Sequence, residues 1–96
     1  MKPSAALQAH REKVRNIVLS HRVLNARVFG SVLRGEDTEG SDLDILVDPT
    51  SETTLMDIGA IRYELKELLG LAVDVLTPKA LPDKFRDSVL QEAKPV

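Results

Sequence analysis

Residues 42–47 read Asp-Leu-Asp-Ile-Leu-Val, an alternation that restricts the fold more than any other stretch of the chain. On an extended strand, Leu43, Ile45 and Val47 point to one face. Asp42 and Asp44 point to the other, with their Cα atoms roughly 6.5–7 Å apart. The apolar face must be covered by a second layer, so the strand belongs to a sheet packed against helices. Pro49 stops the run.

The flanking segments supply the other layers. Residues 4–21 are predicted to form an amphipathic helix with Leu7, Val14, Ile17, Val18 and His21 on one stripe and Ser4 as N-cap. Residues 26–29 form a short strand ending at Gly30-Ser31, followed by a brief helix over 31–34 and a polar loop over 35–41. Thr53 or Thr54 caps a helix carrying Leu55, Ile58, Ile61, Leu65, Leu68 and Leu69, which Gly70 ends. Residues 71–76 make a third strand closed by Thr77-Pro78. A last helix, from about residue 82 to 93, places Phe85 and Val89 on one face. The order α-β-α-β-α-β-α implies a small α/β layer with helices covering a sheet of about three strands.

With 96 residues, the chain is expected to form one domain, 1–96, large enough for one modest core. The absence of cysteine excludes a disulfide scaffold, a thiolate metal site and a cysteine nucleophile. No apolar run reaches the roughly 18–20 residues of a membrane span, and Met1-Lys2-Pro3-Ser4 lacks a secretory leader. A cytoplasmic, non-membrane protein is expected.

Charge is unevenly spread. Lys2, Arg11, Lys13, Arg15, Arg22, Arg27 and Arg34 face only Glu12 in the first third. Glu36, Asp37, Glu39, Asp42, Asp44 and Asp48 then follow with no base among them. Net charge is −2 and aromatics are scarce, so nucleic acid is not expected as a direct partner. A concentrated acidic stretch suits a cation better, although most charge runs are solvated loops.

Asp42 and Asp44 repel each other unless a cation lies between them. Mg²⁺ is the natural choice, because it prefers carboxylate oxygens, water and substrate phosphates. Two such ions, about 3.5–4 Å apart, serve displacements at phosphorus. Asp74 interrupts the apolar run 71–76, where a lone carboxylate needs a partner. It either joins the first two acids as metal ligand or proton acceptor, or lies on an edge strand paired with an arginine such as Arg27. At Gly30-Ser31 the glycine permits close backbone approach, Ser31 offers a hydroxyl, and Arg34 can reach the same anion. The P-loop and Rossmann glycine patterns are absent. The acidic loop also fails as an EF-hand, because Asp42 stands where glycine is required.

Gly30-Ser31-Val32-Leu33-Arg34-Gly35, then Ser41-Asp42-Leu43-Asp44-Ile45-Leu46-Val47, resembles the signature of the minimal nucleotidyltransferases (MNT) of the DNA polymerase beta superfamily. Val73-Asp74-Val75-Leu76-Thr77-Pro78 is similar to that family's third-acid strand. The resemblance spans about residues 26–80. It implies an α+β polymerase-beta-like core and an enzyme of the kind found as antitoxin in HEPN–MNT toxin–antitoxin pairs. In those pairs AMP passes from ATP, with Mg²⁺, to a tyrosine of the HEPN ribonuclease toxin.

Carried over by position, Gly30 and Ser31 hold the triphosphate, Asp42 and Asp44 bind two metal ions, and Asp74 completes the triad. Arg34 contacts phosphate or packs the short helix. Leu33 stands where alanine is common, and the spacer Glu36-Asp37-Thr38-Glu39-Gly40 is unusually acidic beside a nucleotide. Two other readings stay open: an antitoxin that neutralises its partner by contact alone, and nucleotidyl transfer to a small molecule or RNA end. The oligomeric state and the base preference are also open.

Outside this constellation, His10 and His21 lie too far apart on a helix to share a metal and read as surface or core-edge residues. Tyr63 reads as helix packing, and Asp48 as a strand-end turn residue.

Overall fold

The computed structural model describes residues 1–96. Along the chain run α1 (Pro3–Leu19), β1 (Val23–Phe29), α2 (Ser31–Arg34), β2 (Leu43–Pro49), α3 (Leu55–Leu69), β3 (Val73–Leu76), a 3₁₀ turn (Pro78–Ala80), α4 (Asp83–Glu92) and β4 (Lys94–Pro95). The strands form one mixed sheet in the order β3-β2-β1-β4. β1 runs antiparallel to both β2 and β4, while β2 and β3 are parallel and joined through α3.

The sheet therefore has four strands where the pattern suggested about three. β4 is two residues long and contains Pro95, so it carries no alternation to read. It is held by tertiary bonds: Val96 N–H donates to the Ala26 carbonyl at 2.9 Å, and Arg15 donates to the Val96 carbonyl through Nε at 3.0 Å and Nη2 at 2.6 Å.

The two sheet faces are covered differently. One carries Ala26, Val28, Leu43, Ile45, Val47, Val73 and Val75 against Leu7, Val14 and Val18 of α1 and Ile61 and Leu65 of α3. The other holds Phe29 and Leu46 under Leu81, with Leu76, Val89 and Leu90 packed around them. A bulge at Asn25 interrupts the β1–β2 register. It lets both Val23 and Ala26, three residues apart, stay buried. No helix is long and apolar enough to cross a membrane.

Local chemistry explains the helix ends. Thr54 caps α3 through a reciprocal box: its hydroxyl accepts from Asp57 N–H at 3.2 Å, and the Asp57 carboxylate accepts from Thr54 N–H at 2.9 Å. Gly70 closes the helix with φ +68, a left-handed conformation that favours glycine. The start of α1 departs from expectation. Ser4 lies inside the helix, Lys2 holds the cap position and Pro3 follows it. Ser4 N–H instead donates to the Asp37 carboxylate at 2.8 Å, so an acid from the loop after α2 supplies the missing acceptor.

Tyr63 is exposed and does not pack into the core. It lies two residues from buried Ile61, about 200° around a helix, and so faces away from the Ile61–Leu65 stripe.

Candidate active site

The sheet register gathers the acids. Phe29, Asp44 and Asp74 are cross-strand partners in one row, through the β1–β2 and β2–β3 pairings. In-register neighbours share a face about 4.8 Å apart, so the Asp44 and Asp74 side chains rise together on the face that α4 partly covers. Asp42 stands just before β2 and is exposed. Asp44 is half-buried, and Asp74 is exposed on β3, the sheet edge.

Side-chain partners separate Asp42 and Asp44 from the other acids of the 36–48 stretch, and Asp74 shares their lack of a partner. Asp48 accepts from Arg27 Nη2 at 2.9 Å and from Asn25 Nδ2 at 2.8 Å, tying down the far end of β2. Arg27 is thereby taken, and the alternative pairing of Asp74 with Arg27 is not formed. Asp37, buried, accepts the Ser4 N–H bond, which holds its carboxyl below the usual carboxylate range. By contrast, Asp42, Asp44 and Asp74 engage in none of the side-chain ion pairs. Burial, then the charge of Asp74, then that of Asp42 push the Asp44 carboxyl up to about 6 from its ordinary 3.8, against a weaker opposing pull from Arg34. The strand pairing thus concentrates negative charge that no basic side chain neutralises.

The Gly-Ser turn lies against this charge. Gly30 ends β1 with φ +78, a region that side-chain-bearing residues rarely enter. A Cβ built there would stand 3.2 Å from Asp44 Cγ and closer still to Oδ2. Glycine is therefore required twice, by its backbone conformation and by the close passage against Asp44. Ser31 begins α2 at the same turn.

Arg34, on α2, has a more definite environment than the sequence suggested. Its Nε donates to Glu36 at 2.7 Å and its Nη1 to Glu92 of α4 at 3.1 Å. Both pairs are on the surface, where such contacts add little stability. The guanidinium can exchange these carboxylates for a phosphate at small cost.

Beside the turn opens a cavity of about 410 Å³ between the sheet and α4, reaching Gly30 and Arg34. The α4 side of this region was hard to foresee. Phe85 and Val89 sharing a helix face was the only hint, and neither Ser88 nor Glu92 carries a motif. His21, in the turn after α1, bonds Glu64 of α3, on the opposite side of the sheet.

The cluster was also tested as a cation site. No group of three or more His, Cys, Asp or Glu side chains is placed to hold a metal ion by itself. Unpaired carboxylates from two strands, one with a raised pKa, suit an ion that completes its shell with water and phosphate, as Mg²⁺ does. The in-register carboxylates of Asp44 and Asp74 suit such an ion where water and substrate phosphate supply the remaining ligands.

An acidic row on a mixed sheet beside a Gly-Ser turn suits chemistry at a phosphate group. The chain belongs to the nucleotidyltransferase domain family, whose pattern matches residues 10–96. It is 37% identical over 89 residues to the protein adenylyltransferase MntA of Thermococcus cleftensis, an alignment covering 84% of this chain and 90% of that protein. A solved candidate minimal nucleotidyltransferase superimposes with a TM-score of 0.86 at 41% identity, covering 97% of this chain and 95% of the other. A toxin–antitoxin complex solved with AMP-PNP shares the fold, with a TM-score of 0.74 at 19% identity over 88% of this chain and 69% of that one. The polymerase-beta-like α+β architecture and the enzyme class implied by the sequence signature are both borne out.

Proposed function

We propose that the chain is a Mg²⁺-dependent protein adenylyltransferase that moves AMP from ATP to a tyrosine of a HEPN-type toxin and thereby acts as its antitoxin. The observation that carries this reading is the unneutralised Asp42–Asp44–Asp74 group against the Gly30-Ser31 turn. Support comes from the protein adenylyltransferase among its relatives and from the toxin–antitoxin fold likeness.

In this reading Asp42, Asp44 and Asp74 hold the divalent metal, two ions by the family pattern. When bound, the metal offsets charge developing at the α-phosphate and on the leaving oxygen. The Ser31 hydroxyl donates to the β/γ phosphates, with Gly30 allowing their close approach, and Arg34 adds a forked, charge-assisted contact. The acceptor oxygen attacks the α-phosphorus in line. A P–O bond forms to it, the bond to the β-phosphate oxygen breaks, and pyrophosphate leaves. The acceptor's proton passes to the exposed carboxylate of Asp74. Residues 1–96 act as one catalytic unit, and the acceptor is presented by another macromolecule.

The test uses ATP labelled on the α-phosphate, Mg²⁺ and a HEPN partner encoded beside this chain. Label is expected on the partner with α-labelled ATP, none with γ-labelled ATP, and none after chelation. Neutralisation of the toxin by an Asp42→Asn/Asp44→Asn variant as fully as by wild type would instead assign the antitoxin effect to contact.

A further inference from the structure

We infer that the cavity between the sheet and α4 seats the nucleobase of the substrate, with Phe85 as its stacking face. This rests on the nucleotidyl-transfer reading and adds the residues that hold the base.

Position is the first argument. The cavity is bordered by Gly30 and Arg34, the residues assigned to the phosphates, and by Phe29, which shares a cross-strand row with Asp44 and Asp74. One ligand can therefore extend from the acidic row into it. The remaining two concavities lie along α3, at Gly59–Lys66 and at Lys66–Ala72. Neither touches the turn or the acids.

Chemistry is the second. Phe29, Leu76, Leu81, Phe85 and Val89 form the apolar lining, with Ser88 and Glu92 as its polar members beside Arg34. Phosphates have no place on such a surface, whereas a heterocycle needs apolar contact for its faces and polar groups only at its edges. The volume, about 410 Å³, falls within the range of small-ligand sites.

Phe85 itself is the third. It is a large aromatic left 53% exposed on α4 although it lines the cavity. The Lys84 Nζ lies 5.7 Å from the ring centroid. A base stacked on the ring buries apolar surface that the folded chain leaves in water.

The experiment measures equilibrium binding of 2-aminopurine riboside triphosphate with Mg²⁺ and no acceptor, because 2-aminopurine fluorescence is quenched on stacking. Wild type is expected to bind and quench. Phe85→Ala should weaken binding about 5- to 150-fold, the usual effect of removing one base-stacking aromatic, and lose the quenching. Phe85→Tyr should restore both, and Phe85→Leu, apolar but without a π face, should not. Inorganic tripolyphosphate should bind all four proteins equally. Equal nucleotide affinity for wild type and Phe85→Ala, in a wild type that still transfers AMP, would overturn the base seat alone. So would a rise confined to the KM for the acceptor, because the cavity would then receive the acceptor. Failure of wild type to bind any nucleotide would remove the functional reading beneath it. Since Phe85 is half-exposed, its truncation should leave the melting temperature within a few degrees, which separates lost stacking from lost fold.

Discussion

Asp44 and Asp74 are direct partners in the parallel β2–β3 register, one half-buried in the sheet and the other exposed at its edge. This pairing stabilises neither residue while no cation is bound, since it opposes two like charges and the backbone ladder alone holds them together. The design favours function over fold, and its consequences are measurable.

The first concerns Asp44→Asn. Removing a carboxylate whose charged form is disfavoured by burial and by two acidic neighbours should raise the melting temperature of the metal-free protein at pH 7.5 by a few degrees. The same change should lower AMP transfer by about 100-fold or more, the scale seen when one preorganised electrostatic contact is lost at a reaction centre. Calorimetry and label transfer on a single preparation check both halves.

The second is pH dependence. A carboxyl raised from 3.8 to about 6 on folding binds its proton more tightly in the native state. Its stabilising contribution is complete below about pH 4 and is lost as pH rises through 6. Asp37, held low by Ser4, has the opposite sign: its contribution is present above its ordinary pKa and fades in acid. The melting temperature of Asp44→Asn minus that of metal-free wild type isolates the first effect, and this difference should grow between pH 5 and pH 7.5. Stabilisation by added Mg²⁺ should change in the same direction, smaller at pH 5 than at pH 7.5, because Asp44 has to give up its proton to bind the ion.

Gly30→Ala tests the close passage. At φ +78 and ψ −153, a backbone region essentially reserved for glycine, an alanine costs about 1–3 kcal/mol, and the new methyl also meets the Asp44 carboxylate. A fall of roughly 5–15 °C in melting temperature is expected for a domain of this size. In an Asp44→Ala background the same substitution should cost less, because the methyl has room and only the backbone penalty remains. A double-mutant cycle reads the difference.

The Arg34–Glu92 pair gives a regulatory expectation. Glu92→Gln should change stability by less than about 1 kcal/mol, as for other exposed ion pairs. It should also tighten tripolyphosphate binding several-fold, since the guanidinium then leaves only one carboxylate, Glu36, instead of two. Arg34→Ala should weaken that binding without unfolding the protein. Titration calorimetry with tripolyphosphate checks both.

What could be read beforehand followed the strength of local signals. β2 was legible because Leu43, Ile45 and Val47 alternate with acids, and α3 because Thr54 and Gly70 mark its ends. Asp42 and Asp44 stood out as a pair, and Asp74 as a carboxylate in an apolar run. That Asp74 would stand opposite Asp44 depended on β3 pairing parallel to β2, which no local pattern states. β4 was illegible because two residues have no period, and the α1 cap because its acceptor, Asp37, lies 33 residues from Ser4. The Glu92 contact to Arg34 spans 58 residues and left no trace in the spacing. Tyr63 misled because a helix with many leucines suggests a broader buried face than α3 has.

The edge position of β3 has one further consequence. Asp74 lies on the outermost strand, so this chain places no further strand beyond it to crowd an incoming substrate. A rigid, fully folded protein can bring a side chain up to the acids from that flank without threading a tail or unfolding a loop. For the proposed transfer to a protein, the acceptors within reach are those whose surfaces can abut this rim.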